Sequence, residues 1–219
     1  KFDPTTGAFS ATSVSTGSDA GPGKGVAVAI DRRGYFLTNS HVVAKPPLYV
    51  LFRGEKRMHM EEAQVVWRTD LAKNEPDLAL LYVPAALHYA FEWAPLPQMS
   101  DKILGVGPKE PLGYQFTLFG GQVLTAEKRQ RGLLPAWHEV KHSAPFRPGD
   151  SGGPLVNVRG QLVAINALGD YDIHFFRSWN PFRLSREFVG GRSFRPDVGW
   201  IEQMIEADAK KRAGTQRGL

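Results

Sequence analysis

Three groups of residues in this chain have the types, and the order, that nucleophilic acyl transfer demands. The run Arg147-Pro148-Gly149-Asp150-Ser151-Gly152-Gly153-Pro154-Leu155-Val156 sets a serine among glycines ahead of an apolar stretch. Attack of a hydroxyl on an amide carbonyl creates an oxyanion, which backbone N–H groups aimed at one point can stabilise, and glycine reaches the required backbone conformation most readily. Gly149 and Ser151 are the expected donors of those N–H groups. Gly-Ser-Gly alone reads equally well as a turn before a strand, and the longer run narrows that alternative.

A serine hydroxyl is a weak nucleophile at neutral pH, so it needs a histidine to take its proton and a carboxylate to hold that imidazole in one tautomer. In Tyr35-Phe36-Leu37-Thr38-Asn39-Ser40-His41-Val42-Val43, His41 stands where an apolar run hands over to a short turn. His59, His88, His138, His142 and His174 lack such a flank and are read as surface or structural residues. Asp77 immediately precedes the apolar run Leu78-Ala79-Leu80-Leu81-Tyr82-Val83. An unpaired carboxylate at the mouth of a buried strand is costly, so a donor such as His41 Nδ1–H is expected to face it. Two readings compete here: Asp77 as a turn former after Pro76, and Asp70 as the acid, although no long strand follows it.

Thr38-Asn39-Ser40-His41-Val42-Val43, Asp77-Leu78-Ala79-Leu80-Leu81 and Gly149-Asp150-Ser151-Gly152-Gly153-Pro154-Leu155 resemble the three catalytic blocks of trypsin-like serine proteases, most nearly the bacterial HtrA-type branch. The order His, Asp, Ser separates this pattern from the subtilisin and α/β-hydrolase orders. Gly23-Lys24-Gly25-Val26, Gly105-Val106-Gly107-Pro108, Pro111-Leu112-Gly113 and Gly160-Gln161-Leu162-Val163-Ala164-Ile165-Asn166 extend the resemblance over about residues 21–168, and it resumes weakly over Phe194–Ile205.

The resemblance implies an all-β fold of two six-stranded antiparallel β-barrels with a C-terminal α-helix. It implies an endopeptidase in which Ser151 is the nucleophile, His41 the base and then the acid, Asp77 the orienting carboxylate, and Gly149 and Ser151 the oxyanion hole. Neither cofactor nor metal is implied. The pocket for the residue before the cleaved bond would have Pro145, six residues before Ser151, at its base and Ile165, Asn166 and Ala167 as its wall. With no acid at that base, small or medium apolar side chains are expected there, unless Asp170 or Asp172 folds back into it. The alternative is an inactive scaffold of this fold acting as a binding module.

The chain also departs from the family. Asp150 is the trypsin-type residue where HtrA proteins commonly carry Asn, yet Lys1 is not the apolar end that pairs with it in trypsins. Internal donors or a cation are the expected partners of Asp150, and activation by processing stays open. The PDZ domain that HtrA proteins carry after the protease is not expected within these 219 residues.

Short β-branched or aromatic runs punctuated by turn residues are the elements that must hold these groups. Strands are expected at 26–30, 35–39, 48–52, 63–68 and 78–83, and again at 102–106, 116–126, 138–143, 155–158 and 162–167. Residues 1–22, rich in Ser, Thr and Gly, read as a flexible arm or an extended segment on the barrel. A first barrel over 23–97 would carry His41 and Asp77, and a second over 98–196 would carry Ser151 and the pocket. The prolines of Ala94-Pro95-Leu96-Pro97 lack N–H donors and mark the linker between them. A helix starting near Asp197, with Val198, Ile201, Met204 and Ile205 on one face, leads into a basic tail over the remainder of 197–219. Residues 169–192, with Tyr171, Phe175, Phe176, Trp179, Phe182 and Phe188, read as an enlarged loop that either packs as a satellite core or borders the cleft or a partner chain.

Composition agrees: 219 residues at 42% hydrophobic can bury a substantial core. Cysteine is absent, which favours a bacterial periplasmic or cytoplasmic setting while leaving secretion open. No run approaches the ~20 apolar residues that cross a membrane, and a removed signal or anchor stays open. Twenty-seven basic against 22 acidic residues give +5, which reads as a solvated basic face with no nucleic-acid partner. A polypeptide substrate is the expected partner, and homo-oligomerisation stays open.

Overall fold

The structure, a computed structural model, describes residues 11–16, 24–53, 58–108, 116–146, 149–175 and 184–216. The first barrel is built from β1 (Ala11–Thr16), β2 (Lys24–Asp31), β3 (Tyr35–Thr38), β4 (Leu48–Arg53), β5 (Met58–Arg68) and β6 (Ala79–Tyr82), closing in the order β1-β2-β3-β6-β5-β4. The second comprises β7 (Lys102–Pro108), β8 (Phe116–Arg129), β9 (Trp137–His142), β10 (Pro154–Asn157), β11 (Leu162–Phe175) and β12 (Leu184–Arg195), in the order β10-β11-β12-β9-β8-β7. Every ladder is antiparallel. A single helix among the described residues, α1 (Val198–Gln216), follows the second barrel. The two six-stranded barrels with a C-terminal helix are the fold that the resemblance implied.

Period-two alternation explains why β2, β3 and β6 of the first barrel read as nearly continuous apolar runs: both of their faces are buried. Ala27, Ala29, Ala79, Leu81 and Val83 fill the inside of the barrel with Phe36, Leu48 and Val50. Their neighbours Val28, Leu78 and Leu80 face outward into a second cluster, which Trp137, Val156, Leu162, Ile165 and Phe194 of the second barrel share with Ile201 and Ile205 of α1. Ile103, Val123, Val140, Leu155 and Val163 fill the second barrel. The central cluster fuses the barrels, so the faces carrying His41 and Ser151 are fixed against each other by apolar burial.

Two expectations need correction and a third is narrowed. Ala11–Thr16, inside the segment read as a flexible arm or an extended segment on the barrel, is extended: a strand that bridges β2 and β4 and closes the first barrel; residues 1–10 and 17–23 lie outside the described residues. The basic tail is largely helical, since α1 continues to Gln216: Arg212 pairs with Asp208, donates to Gln64 Oε1 and lies over the Tyr82 ring. Residues 169–192 are not an irregular loop, because β11 and β12 run on as a paired ribbon out to Phe175 and Leu184. The side chains of 170–175 and 184–189, and all of 176–183, including Phe176, Trp179 and Phe182, lie outside the described residues.

Between the barrels, Trp93 forms an isolated bridge with Leu162, and Ala94 N–H donates to the Leu162 carbonyl. The buried Arg195 guanidinium caps the Leu162, Val163 and Ala94 carbonyls at 3.3, 3.0 and 2.7 Å and lies over the Trp93 ring. At the helix start, Asp197 Oδ1 accepts from Trp200 N–H at 2.8 Å, the N-cap arrangement expected of an Asp there.

Candidate active site

The turn after β3 is fixed by its polar residues. Thr38 Oγ1 donates to the Val26 carbonyl, Asn39 Nδ2 to the Asp77 carbonyl and Ser40 Oγ to the Thr69 carbonyl, each at 2.7 Å. All three are buried, and each satisfies a carbonyl on another segment, the condition under which polar side chains are tolerated in a core. Val42 and Val43 then turn inward, as Val42 N–H reaches the Asn39 carbonyl and Val43 N–H that of Ser40. His41 is left as the residue whose side chain projects, 43% exposed.

Asp77 meets it. The carboxylate, 8% exposed, takes His41 Nδ1 on Oδ2 at 2.5 Å and the His41 backbone N–H on Oδ1 at 3.1 Å. Both oxygens are committed to one residue, so the imidazole plane and the turn that carries it are set together. Thr69 secures the Asp77 side of the corner, since its N–H donates to the Leu78 carbonyl and its Oγ1 accepts from Leu78 N–H. Asp70, the competing acid, does other work: its Oδ1 accepts from Ala72 N–H and it pairs with Lys73, capping the 3₁₀ turn Leu71–Lys73. Those bonds from Lys73 and the backbone hold its carboxyl below the usual range.

The Ser151 turn is fixed by main chain. Gly152 N–H donates to the Asn166 carbonyl, Asn166 N–H to the Gly153 carbonyl and Gly153 N–H to the Asp150 carbonyl, at 2.8, 2.8 and 2.9 Å. The Ser151 carbonyl in turn accepts from Val26 N–H at 2.7 Å. Val26 is the residue whose own carbonyl Thr38 holds, so one short chain of bonds links the Ser151 turn to the turn that carries His41. Gly152, with φ +81°, sits at the crossing, where a Cβ would overlap the Val26 carbonyl and Thr38 Oγ1. Gly149, with φ +103°, likewise occupies backbone space that disfavours any side chain. Asp150 is buried, its carboxylate lying over Gly107 of β7.

The expected pocket wall, Ile165, Asn166 and Ala167, is buried on β11 beside this turn. Pro145, the expected pocket base, is exposed, and its neighbour Phe146 is buried. At Gly191 of β12 a Cβ would run into the rings of His142 and Phe146, whose centroids lie 6.0 Å apart. Beneath them Ser193 Oγ donates to Asn166 Oδ1 at 3.0 Å and meets His142 Nε2 at 2.9 Å. A hydroxyl has one proton; because Ser193 gives it to Asn166, His142 Nε2 must carry the hydrogen between them. Gly191 and Ser193 escaped the sequence reading because β12 itself did; His142, on the expected strand 138–143, was read there only as a structural residue.

Of the remaining histidines, His59 stacks on Phe52 and His138 lies half-buried on β9, pushed below its ordinary value by burial and the nearby Arg195 and Lys128 charges. Beside His41, a cleft of about 480 Å³ is lined by Ala44, Arg68, Asp70, Leu71 and Ala72. No group of three or more potential metal ligands occurs among the described residues.

The family described as Trypsin-like peptidase domain matches residues 23–165. Serine endoprotease DegS of Escherichia coli K12 is 30% identical over 149 residues, 66% of this chain and 39% of DegS. A serine endoprotease of Yersinia pestis has the same fold with a TM-score of 0.61 at 23% identity, over 90% of this chain and 62% of that one. The solved structure of the HtrA-type protease AlgW with tripeptide gives a TM-score of 0.62 at 25% identity, over 90% of this chain and 59% of that one. The chain thus spans well under half the length of the curated relative.

Proposed function

We propose a mechanism from one premise: this chain belongs to the trypsin-like peptidase family, with HtrA-type proteases among its relatives. It acts as a serine endopeptidase on polypeptides. The observation that carries this reading is the His41–Asp77 pair, 2.5 Å from Nδ1 to Oδ2, in a corner tied through Val26 to the Ser151 turn. With Nδ1–H given to the carboxylate, Nε2 keeps its lone pair and serves as the base. Ser151 Oγ bonds to the scissile carbonyl carbon as its proton passes to His41 Nε2, and the carbonyl π electrons move to oxygen. Gly149 and Ser151 N–H groups receive that oxyanion. Collapse of the intermediate breaks the C–N bond while His41 returns the proton to the leaving amine. Water then repeats the sequence on the acyl-enzyme, with His41 again the base.

The pocket reading is supported by Gly191, against which the rings of Phe146 and His142 stand so closely that no side chain fits there. Small or medium apolar residues before the cleaved bond suit such a pocket, whereas Lys or Arg would lose hydration unless Asp170 or Asp172, whose side chains lie outside the described residues, met it. A fluorophosphonate probe tests the mechanism. It should label Ser151, and Ser151→Ala and His41→Ala should each lose labelling and lower kcat by at least about 10³-fold with the fold retained. Peptide hydrolysis by Ser151→Ala at the original rate would overturn the assignment, and a peptide library cut mainly after Arg or Lys would overturn the pocket.

A further inference from the structure

The loop between β8 and β9 carries an uncovered leucine at its tip. Leu133 is fully exposed, more so than any other large apolar side chain among the described residues. It sits on a turn that Leu134 N–H closes onto the Arg131 carbonyl at 3.2 Å, with Gly132 at φ +56°. The base of this loop is held, since Leu134, Pro135 and the buried Trp137 line one crevice with Trp67 and Trp200. A tip fixed at its base has little freedom left to lose on binding, the condition under which an apolar anchor is effective. Arg131, two residues before Leu133, is exposed and meets no carboxylate among the described residues, whereas Arg129 pairs with Glu127 and Glu139.

A groove complementary to that tip lies along α1. Between the β2–β3 turn, residues 91–93 of the linker and α1, a cavity of about 570 Å³ has the buried Phe91, Ile201 and Ile205 as its floor. Four carboxylates, those of Asp31, Glu92, Glu202 and Glu206, stand around it against one cation, Arg33, whose guanidinium takes Asp31 and Glu206 at 2.8 and 2.7 Å. Glu92 and Glu202 are exposed and pair with no cation among the described residues. The loop and the groove flank the same turns of the helix: Trp200 lines the crevice under the loop, while Val198, Ile201 and Glu202 line the groove. With α1 between them, loop and groove of one chain do not meet. Two chains related by a twofold axis across α1 make the contact twice, and the assembly closes.

We propose that the occupant of the groove is a second copy of this chain. In a twofold dimer, Leu133 of each protomer enters its partner's groove against Phe91, Ile201 and Ile205, and Arg131 meets Glu92 and Glu202. The dimer uses no residue of the Ser151 mechanism and stands or falls without it.

Sedimentation equilibrium of the full chain tests this. The native chain should reach twice its monomer mass with a Kd of about 1–50 µM, the range of a small contact, and Kd should rise about tenfold or more from about 50 to about 500 mM NaCl. Leu133→Asp should raise Kd at least about thirtyfold, because an apolar anchor is lost from both contacts. Arg131→Glu, and the double variant Glu92→Lys with Glu202→Lys, should each be monomeric, since like charges then meet twice. Mixed in equal amounts, these two variants should dimerise again, because each loop then faces a groove of opposite sign. All four substituted positions are exposed, so Tm should stay within about 2 °C of native. Should the groove variant fail to fold, Leu133→Asp and Arg131→Glu decide.

A native chain still monomeric at about 200 µM overturns the proposal. A dimer that none of these substitutions weakens places the interface elsewhere and overturns it as well, as does a mixture that stays monomeric while both variants keep their Tm. A native monomer that binds a labelled peptide of residues 128–136, and loses it in the groove variant, assigns the groove to another polypeptide of this chemistry. A groove variant that melts well below native with its mass unchanged assigns it to a segment of the same chain. Either result rules out the second copy.

Discussion

The two halves of the site are held by different means. On the His41 side, four side chains, Thr38, Asn39, Ser40 and Thr69, each clamp a backbone group of another segment. On the Ser151 side the clamps are main-chain bonds among Asp150, Gly152, Gly153 and Asn166, made possible where no Cβ intervenes. Side-chain clamps can be removed one at a time, and each removal leaves the others in place. A backbone crossing has no such redundancy, so the His41 side should respond in steps and the Ser151 side nearly all at once.

The sharpest test alters the chemistry of the first half and spares its packing. In Asp77→Asn the carboxamide oxygen can still take the His41 backbone N–H, which turns its NH₂ toward Nδ1 and makes Nδ1 the acceptor. The proton then sits on Nε2, and His41 is no longer a base toward Ser151. We expect kcat to fall about 10⁴-fold with Tm nearly unchanged. A loss under tenfold would show that the His41–Asp77 bond does not set the tautomer used in turnover.

Gly152→Ala tests the other half. The new methyl overlaps the Val26 carbonyl and Thr38 Oγ1, at a φ of +81° that L side chains rarely adopt. Stability should fall by about 2–4 kcal/mol, roughly 10 °C in Tm, and kcat/KM by about 10²–10³-fold, because the Ser151 N–H moves with the turn. Fold and chemistry should be lost together here, whereas Asp77→Asn separates them. Full activity with a normal Tm in Gly152→Ala would break the comparison.

The same division explains what could be read in the sequence. The His41 and Asp77 blocks were legible because polar residues in an otherwise apolar run must have partners, even though those partners lie 12 to 38 residues away. The Ser151 block was legible through its glycines. The interior strands were legible because Leu78–Val83 and Val26–Ile30 are buried on both faces. By contrast β1 is Ala-Thr-Ser-Val-Ser-Thr, small and polar, and becomes a strand through the edges of β2 and β4 that it closes. β12 carries Gly190-Gly191 and charged residues, which local propensity reads as loop, and only the long ladders with β11 and β9 override it. The His142–Ser193–Asn166 contacts join positions up to 51 residues apart, and no local pattern encodes such a pairing.

A graded response on the His41 side is the next measurement. Asn39→Ala removes the donor to the Asp77 carbonyl and leaves that buried group unsatisfied, a loss of about 1–3 kcal/mol. Ser40→Ala removes a comparable bond to Thr69. Each variant should lower Tm by a few degrees and kcat by less than about tenfold, because Asp77 Oδ1 and Oδ2 still hold His41. If either single variant lost as much kcat as Asp77→Asn, the clamps would not be redundant and the contrast between the halves would fail.

The smallest effect concerns pH and lies on β9, away from both halves. His138 is held below its ordinary value, first by burial and then by the Arg195 and Lys128 charges, with Asp197 opposing them. The unfolded chain takes up a proton near pH 6.5, the folded chain only at lower pH. Between those values the unfolded state binds more protons, so this contribution to stability is complete above about pH 6.5 and is lost as pH falls toward the folded value. His138→Gln, neutral throughout, should flatten that part of the profile without changing stability at pH 8. His138 is only half-buried, and solvent screens it in part, so the difference between the two proteins should amount to a few tenths of a kcal/mol, about 1 °C in Tm between pH 8 and pH 5. Calorimetry at both pH values reads it as a double difference. A native protein that gained stability over His138→Gln on acidification would mean that Asp197 outweighs burial and the two cations, reversing the sign argued here.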